Sequence, residues 1–571
     1  MCGIVGLISK QDFYVKEAIK RLKRLEYRGY DSFGYYYDKK LIKKVGNIIV
    51  PETKDKTKKI ISHTRWATHG GVTDFNAHPH LSCDKKIALV HNGIIENYQE
   101  LKAELEKKGH KFSSQTDTEV AAHYFEEKLK TKSMKEACID FIKDIKGEFA
   151  ILIVIEGDNN LYALRRDSPL VLGIGKEKFY LASDIYAFSD TTNKEIFFEN
   201  NEFAIINESN YTFYNSNGNE IKKQIFEFKW EQEETKTENY QHFMIKEIME
   251  EPKVVKRLLL SIKAEQKENF EKFISLMKKS KKIVFVAAGT SYHASLLGVY
   301  YLHKCNINAQ AIIASEFEHF VVADKDSLVI AISQSGETMD VIEALKYAKK
   351  NNAKIASIVN VPYSTIQRMS EISLNIAAGQ EICVAATKSF VNQVTLLLRI
   401  AQEFGFVINL ENLSEKIEKT LSLKEEIKKI ADSIYDKKDV YILGRGLSYP
   451  VAREIALKIK EISYIHAEGM MGGELKHGTI ALIEKGTPVI SLISNKDYAM
   501  LSNTKEVEAR GAFIIKITNE LEGNLKVETD NDGKFGILAA VIGQLLTYYI
   551  ALKKGLPIDK PRNLAKSVTV K

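Results

Sequence analysis

KKIVFVAAGTSYHASLLGVYYL, residues 281–302, places an apolar run directly before a glycine turn and a helix-like pattern of apolar residues. The same arrangement returns in VYILGRGLSYPVAREIALKIKE, residues 440–461, and residues 289–292 align with residues 446–449. A further apolar run follows each copy, SLVIAIS at 327–333 and TPVISLIS at 487–494. Strands that alternate with helices predict a doubly wound parallel α/β sheet, and the repetition predicts two copies of it.

The first half of the chain has a different pattern of apolar residues. CGIVGLI, KIALVHNG and EFAILIVIEG are short apolar runs with the boundaries of buried strands, and apolar residues at helical spacing lie between them. KWEQEETKTENY, residues 229–240, is polar and acidic, which is typical of a linker. The sequence therefore predicts an N-terminal domain at 2–228, a linker at 229–250, and α/β domains at 251–425 and 426–571.

Composition excludes several classes of protein. The 82 basic and 75 acidic residues are interspersed and leave a net charge of +7, so no nucleic-acid partner is predicted. The five cysteines form no C-x-x-C pair, which predicts neither a disulfide framework nor a zinc site and suits a reducing cytoplasm. No signal peptide is evident. We expect no metal and no cofactor.

One segment, FGILAAVIGQLLTYYIAL at 535–552, is long and apolar enough to be considered as a membrane span. Gln544, Thr547 and two tyrosines interrupt it, and no second such segment exists in the sequence. The sequence therefore favours a buried core helix and no membrane partner.

The N-terminus, MCGIVGLI, places a cysteine directly after the initiator methionine. Removal of Met1 leaves Cys2 with a thiol and a free α-amine, whose ordinary pKa of about 7.7–8.0 suits it to take the thiol proton. Cys2 is thus a candidate N-terminal nucleophile. The alternative is a small apolar residue that begins a buried strand.

Three further residues offer the chemistry that amide hydrolysis of an amino acid requires. Asn92, beside Gly93 in HNGIIEN, is a candidate donor to a tetrahedral oxyanion. Arg65 can hold a substrate carboxylate, and Asp117 can pair with a substrate ammonium. Taken singly, these residues are better explained as a turn asparagine, a surface arginine and a helix N-cap aspartate.

Two turns in the second half are candidate phosphate cradles. ISQSGET, residues 332–338, joins an apolar strand to a helix and presents Ser333, Ser335, Thr338 and backbone N–H groups. AGTSYH, residues 288–293, offers Thr290 and Ser291 in a similar turn. Neither turn has a nucleotide-binding glycine pattern, and an ordinary helix cap remains the alternative.

Together, the N-terminal stretches resemble the glutaminase domain of N-terminal-nucleophile amidotransferases, which implies αββα layers. The repeated half resembles the sugar-isomerase type of phosphosugar-binding domain. EYRGYDS, HTRWATHG, NAHPH, HNGIIENY, ISQSGET, LKIKEISYIHAE, GELKHG and PRNLAKSVTV occur in order along the chain. The whole chain therefore resembles the isomerising glutamine–fructose-6-phosphate aminotransferase family. The resemblance implies a cytoplasmic homodimer without cofactor that passes ammonia from glutamine to fructose 6-phosphate and forms glucosamine 6-phosphate.

The resemblance also implies roles for individual residues. Lys566 corresponds to the lysine that forms a Schiff base with the ketose, and Glu461 to the base that moves a proton from C1 to C2. His477 corresponds to a ring-opening histidine supplied by the neighbouring subunit. The glutamine-binding group comprises Arg65, Trp66, Thr68, His69 and Asp117, and Trp66 is implied to gate the ammonia passage. The sugar-phosphate group comprises Thr290, Ser291, Ser333, Gln334, Ser335, Thr338, Val384 and Ala565.

The chain departs from the common family pattern at three places. Ala288 stands where many relatives have cysteine, Ala386 where they have serine, and the connection between residues 46 and 63 is short. Two other amidotransferases, phosphoribosyl-pyrophosphate amidotransferase and asparagine synthetase, would need acceptor loops that this sequence lacks. A non-catalytic sugar-phosphate sensor would be expected to have lost Cys2, Glu461 or Lys566, and all three are present.

Overall fold

The computed structural model describes residues 2–67, 69–227, 237–520, 522–529 and 531–568. The chain divides into two compact units, one comprising residues 1–234 and 567–571 and the other spanning Thr235–Lys566. Each unit is described by itself below.

The N-terminal unit combines two antiparallel sheets with four helices. In chain order its elements are β1 (Gly3–Tyr14), α1 (Val15–Arg24), β2 (Ser32–Tyr37), β3 (Lys40–Val45), β4 (Lys56–Arg65), β5 (His80–Leu81), β6 (Ile87–Ile95), α2 (Tyr98–Lys107), α3 (Thr118–Leu129), α4 (Met134–Asp144), β7 (Gly147–Ile155), β8 (Leu161–Arg166), β9 (Val171–Ile174), β10 (Lys178–Ala182), β11 (Lys194–Phe197), β12 (Glu202–Ile206), β13 (Tyr211–Tyr214), β14 (Glu220–Ile221) and β15 (Phe226–Glu227).

The two antiparallel sheets pack face to face. One has the strand order β15-β11-β9-β10-β1-β4-β2-β3, and the other β14-β13-β12-β8-β7-β6-β5. Ile4 and Ile61 of the first sheet share a buried cluster with Val90 and Leu152 of the second. Helix α1 packs on β1 and β4, while α3 and α4 cover the other face of the second sheet. This arrangement confirms the predicted αββα layers, because each sheet buries one face against the other and one against helices.

The second unit contains both α/β repeats. Its elements are α5 (Phe243–Met249), α6 (Glu251–Lys263), α7 (Lys267–Lys279), β16 (Lys282–Ala287), α8 (Gly289–Lys304), β17 (Ala309–Ile313), α9 (Phe317–Phe320), β18 (Ser327–Ser333), α10 (Met339–Lys350), β19 (Lys354–Val359), α11 (Thr365–Met369), β20 (Ile372–Asn375), α12 (Lys388–Gln402), α13 (Leu413–Leu421), α14 (Lys424–Ile434), β21 (Asp439–Gly444), α15 (Ser448–Ser463), β22 (His466–Met471), β23 (Pro488–Ile493), α16 (Tyr498–Glu508), β24 (Phe513–Thr518), β25 (Leu525–Lys526) and α17 (Asp532–Lys553).

The two parallel sheets have the same topology. Their strand orders are β17-β16-β18-β19-β20 and β22-β21-β23-β24-β25, so the second strand pairs outside the first in both copies. The aligned glycines Gly289 and Gly446 each have φ +53°, where glycine meets no Cβ penalty. The predicted duplication is therefore confirmed down to the turn that follows the first strand of each sheet.

Helix α17 contains the apolar segment that the sequence raised as a possible membrane span. It is long and apolar enough to cross a membrane, but most of its side chains are buried inside this unit. It packs against α14 and α15, and the amide of Gln544 donates to the carbonyl of Thr387. These contacts explain its apolar character as that of a core helix.

Candidate active site

The first candidate site surrounds Cys2 at the beginning of β1. The backbone N–H of Trp66 donates to the Cys2 Sγ over 3.3 Å, because β4 ends at Arg65 beside the start of β1. The Nε of Arg28 and the Nδ2 of Asn92 donate to the Cys2 carbonyl over 3.2 and 3.0 Å. The thiol is therefore held at the junction of the two sheets.

Asn92 lies within hydrogen-bonding distance of Cys2, as the oxyanion role requires, but its amide is fully engaged. Its Nδ2 donates to Ser183 Oγ over 2.8 Å as well as to Cys2, and its Oδ1 lies 3.1 Å from Nε2 of His63. Donating a hydrogen bond to a substrate oxyanion therefore requires Asn92 Nδ2 to release its bond to Cys2 or to Ser183. Gly93 has φ +120°, and a Cβ there would lie 2.0 Å from the carbonyl oxygen of Glu148. Only glycine fits this position.

Two of the predicted glutamine-binding residues, Arg65 and Asp117, lie near each other, and Arg65 also lies near Cys2. Arg65 is buried, and its guanidinium donates to the carbonyls of Gly70 and Gly71 over 3.2 and 3.1 Å. Burial lowers the pKa of Arg65, while the nearby charges of Cys2, Asp31 and Asp117 oppose that shift. Asp117 is buried and accepts from the N–H of Ile95 over 2.8 Å.

Two other predicted residues have ring contacts, and one is not described. The Trp66 ring packs edge-on against Tyr30 with centroids 5.6 Å apart, and the His69 ring packs against Tyr98 at 5.5 Å. Thr68 lies outside the described residues. The glutamine-binding roles of these residues stay predictions.

A cluster of buried histidines lies behind Asn92 that sequence reasoning did not single out. Burial lowers the pKa of His63 to about 3. Burial also holds the pKa values of His78 and His80 well below the ordinary value and lowers the pKa of His91. The rings of His63 and His78 stack with centroids 4.0 Å apart. The sequence signal for this cluster was a histidine in each of three stretches, HTRWATHG, NAHPH and HNGIIEN. Each stretch brings a histidine to a buried strand or its edge.

We expect this cluster to make the N-terminal unit less stable as the pH falls from 7 to 5. The unfolded chain protonates each histidine near pH 6.5, whereas the folded chain keeps it neutral, so unfolding takes up protons below that pH. Each histidine can lower the free energy of unfolding by up to about 1.4 kcal/mol per pH unit. Urea-dependent exposure of the buried Cys138 thiol, measured with 4,4′-dithiodipyridine at pH 7 and pH 5, checks this.

The buried Cys383 thiol gives the matched control in the second unit. There burial and the neighbouring Glu381 charge raise the pKa of Glu247 to about 8, so the folded state binds a proton that the unfolded chain releases above about pH 4.5. This carboxyl therefore contributes in the opposite direction: the free energy of unfolding falls as the pH rises towards 8. A Cys138 midpoint that stays constant or rises on acidification would contradict the histidine prediction.

The second candidate site is built around Lys566. Its Nζ lies 2.5 Å from Oε2 of Glu381 and donates to the Cys383 carbonyl over 2.8 Å, and both charged side chains are almost fully buried. The Cys383 contact also places Lys566 beside Val384. Burial alone would raise the pKa of Glu381, but the Lys566 ammonium and two backbone donors, the N–H groups of Thr387 and Ser389, hold it at about 2.

Sequence reasoning missed Glu381. It stands in GQEICVAATKSF, where a single carboxylate precedes an apolar run, and that isolated charge was the available signal. Glu381 and Lys566 are 185 positions apart, which hides their pairing in the sequence. A buried ion pair of this kind marks a candidate catalytic centre, because burying two charges requires accurate mutual placement.

Glu461 lies on α15 and forms a second ion pair. Its Oε2 is 2.5 Å from Nζ of the buried Lys458, which also lies 3.5 Å from Glu454. Burial opposes the charge of Lys458, but Glu461 and Glu454 raise its pKa above the ordinary value, and Glu381 contributes in the same direction. The two ion pairs are therefore close enough to interact, although no hydrogen bond joins Lys566 to Glu461 among the described residues.

The two predicted phosphate-binding turns differ in what their hydroxyl groups contact. Ser333 Oγ lies 3.0 Å from Thr338 Oγ1 and accepts from the N–H of Gly336, and Ser335 Oγ accepts from the N–H of Glu337. Gly336 has φ +68°, and a Cβ there would collide with Ser364. This compact turn lies directly before α10, as the phosphate-cradle prediction requires, and Gln334 lies within it.

Thr290 and Ser291 make protein contacts at the start of α8. Thr290 Oγ1 donates to Glu454 over 3.0 Å, and Ser291 Oγ accepts from Gln393 over 3.0 Å. Glu454 also faces His293 at 2.7 Å. Thr290 therefore connects the first repeat to α15 of the second, which carries Glu461.

Two predicted sugar-site residues form no hydrogen bond with the Lys566–Glu381 pair in the described parts of the chain. His477 is exposed and ends a short 3₁₀ turn, Leu475–His477. Ala565 immediately precedes Lys566 and is half-buried. Their roles stay predictions.

Comparison with known proteins identifies related sequences over the whole chain. A glutamine amidotransferase domain model matches residues 63–190, and a SIS domain model matches residues 276–401 and 433–536. The glutamine–fructose-6-phosphate aminotransferase (isomerizing) of Thermococcus kodakarensis is 42% identical, with all of both chains covered. The enzyme of the same name from Clostridium tetani is also 42% identical, again with all of both chains covered.

Among solved structures, the C-terminal domain of glucosamine-fructose-6-phosphate aminotransferase from Francisella tularensis is similar. It is 36% identical and aligns with a TM-score of 0.53, covering 57% of this chain and all of that domain.

Proposed function

Because the chain belongs to the isomerising glutamine–fructose-6-phosphate aminotransferase family, we propose that it hydrolyses glutamine and uses the ammonia to convert fructose 6-phosphate to glucosamine 6-phosphate. This reaction would begin the synthesis of amino-sugar precursors. The observation that carries the proposal is the buried Lys566–Glu381 pair, since the ketose requires an amine nucleophile shielded from water. The domains are proposed to span 2–228, 251–425 and 426–571, with a linker at 229–250.

In the glutaminase reaction, the Cys2 sulfur attacks the side-chain amide carbon of glutamine. The α-amine of Cys2, freed by removal of Met1, takes the thiol proton and passes it to the departing ammonia. Asn92 Nδ2 and the Gly93 N–H stabilise the oxyanion. Water then releases glutamate from the thioester. Arg65 binds the glutamine carboxylate and Asp117 its ammonium, with Trp66, Thr68 and His69 completing the pocket.

In the sugar reaction, the Lys566 ammonium passes a proton to the carbonyl oxygen at C2 of the open-chain ketose, and the free amine attacks C2. Water leaves as the imine forms, which acidifies the C1 hydrogen. Ammonia then replaces the lysine amine at C2, and Glu461 carries the proton from C1 to C2. Glu381 stabilises the Lys566 ammonium between turnovers, and the raised pKa of Lys458 makes that lysine a poor nucleophile.

Binding of the sugar phosphate is proposed at the turn before α10. The backbone N–H groups and the hydroxyls of this turn suit an anion at a helix N-terminus. Its residues, with those proposed around the sugar, are Ser333, Gln334, Ser335, Thr338, Thr290, Ser291, Val384 and Ala565. We propose that His477 opens the sugar ring in the neighbouring subunit of a cytoplasmic homodimer.

We also propose that ammonia travels through an internal passage gated by Trp66. Ammonia released to bulk water would be diluted and protonated, so a shielded route preserves the nucleophile. The proposal gives an isotope test. With amide-¹⁵N glutamine, fructose 6-phosphate and an excess of unlabelled ammonium, the glucosamine 6-phosphate should retain ¹⁵N.

Mass spectrometry of the sugar product measures this prediction. A product that carries mainly unlabelled nitrogen would contradict the internal passage but leave the synthase intact. Glutamate release without any amino sugar would contradict the proposed function itself. Unlabelled glutamine with ¹⁵N-ammonium is the reciprocal control and should yield mainly unlabelled product.

A further inference from the structure

Four side chains with metal-binding atoms converge in the N-terminal unit, away from Cys2 in the sequence. Cys83 lies in the turn between β5 and β6, His110 follows α2, and His123 and Glu126 lie on α3. One ligand atom from each lies within 4.8 Å of every other. His123 and Glu126 are three residues apart on one helix, so they share a face.

Four of the six distances between these atoms, at 3.1–3.8 Å, are close to the edges of a tetrahedron around one metal ion. The Cys83 Sγ is 3.5 Å from Nδ1 of His123 and 3.8 Å from Nδ1 of His110. Oε2 of Glu126 is 3.1 Å from Nδ1 of His110 and 3.4 Å from Nδ1 of His123. A tetrahedral zinc with bonds of about 2.3 Å to sulfur and 2.0–2.1 Å to nitrogen separates its ligand atoms by about 3.3–3.6 Å.

The surrounding contacts orient the candidate ligands. His110 and His123 are 7% and 1% exposed, so their rings have fixed directions. The other nitrogen of His110, Nε2, lies 3.1 Å from Glu127, which fixes Nδ1 as the free ligand atom. The backbone N–H of Lys111 donates to the Cys83 sulfur over 3.3 Å.

The His123 ring is oriented in the same sense, but the carboxylate beside its Nε2 is farther away. Its Nε2 is buried without a hydrogen-bond partner and faces Glu119 at 3.7 Å, while Nδ1 points into the cluster. Glu126 is itself held by the backbone N–H groups of Cys83 and Asp84, at 2.9 and 3.0 Å. Hydrogen bonds therefore orient His110, Cys83 and Glu126, and burial orients His123.

We propose that Cys83, His110, His123 and Glu126 bind one structural zinc ion. One sulfur, two imidazole nitrogens and one carboxylate oxygen supply four protein ligands, which completes tetrahedral coordination and leaves no open position for catalysis. The ion joins the β5–β6 turn to α3. Because α3 begins directly after Asp117, zinc at this point steadies a helix next to the proposed glutamine pocket. The proposal is independent of the proposed function.

The metal content of the untagged full-length chain, purified without chelator, gives the first measurement. We expect about one zinc per chain by elemental analysis, lost on treatment with a strong chelator and restored by added zinc. Co²⁺ added to the chelated chain should give the visible bands of a tetrahedral site and a thiolate-to-cobalt charge-transfer band. A chain that binds neither ion would overturn the proposal and leave a hydrogen-bonded cluster.

Single-residue variants test which side chains bind the ion. Cys83→Ser should abolish the charge-transfer band. Glu127→Gln changes the partner of His110 Nε2, as well as the ion pairs of Glu127 with Lys130 and Lys108, and should weaken zinc binding about 10–100-fold. Two cysteine controls, Cys305→Ser and Cys2→Ala, should keep the band. Circular dichroism confirms that each variant is folded. A band that survives in Cys83→Ser, or that disappears in Cys2→Ala, would overturn the assignment.

Discussion

Cys2→Ala is expected to abolish glutamine-dependent synthesis while ammonium salts at high concentration still support formation of glucosamine 6-phosphate. The thiol supplies the only proposed nucleophile for the amide, so the rate with glutamine should fall roughly 10⁴-fold or more. The sugar site lies in the other compact unit and retains Lys566 and Glu381. Assays of glutamate and of amino sugar, with each nitrogen source, measure the two half-reactions.

Cys305→Ser is the matched control, since it removes a partly buried thiol from the second unit. It should leave the use of both nitrogen sources close to that of the unaltered chain. Glutamine hydrolysis that persists in pure Cys2→Ala protein would refute the nucleophile assignment. Active protein whose intact mass includes Met1 would refute the role of the α-amine, because Met1 would cap it.

Lys566→Arg is expected to eliminate synthesis from either nitrogen source, with a loss of roughly 10³-fold or more. Arginine preserves the positive charge opposite Glu381 but stays protonated, so it cannot attack the ketose. Glutamine hydrolysis should persist at a basal level. Borohydride added with fructose 6-phosphate should trap a reduced sugar adduct on the peptide that contains Lys566 in the unaltered chain and no adduct in the variant.

Lys554→Arg, an exposed change just after α17, is the control and should retain both synthesis and trapping. Peptide mapping by mass spectrometry decides the site of the adduct. An adduct on Lys458 or Lys476 would move the Schiff base to another motif. Full synthase activity in Lys566→Arg would refute the imine mechanism.

The architecture followed largely from local patterns. The apolar runs at 283–287 and 440–444 are parallel strands, and each is followed by the helix that the glycine turn predicted. Such patterns can be recognised in the sequence because strand burial and helix periodicity are properties of neighbouring residues. The N-terminal candidate residues were equally accessible, since the structure brings Cys2, Arg65 and Asn92 together as the motifs predicted.

The sequence by itself therefore determined the fold class and the duplication, and it supplied the candidate residues for the chemistry with the exception of Glu381. Only the tertiary structure decided which charges are buried together. It pairs Lys566 with Glu381 and brings Cys83 to His110 and His123, although tens to hundreds of residues separate these partners. The physical reason is that protonation and metal ligation depend on burial and on distances of a few ångströms. Those quantities are set by how strands and helices pack, and no local pattern encodes them.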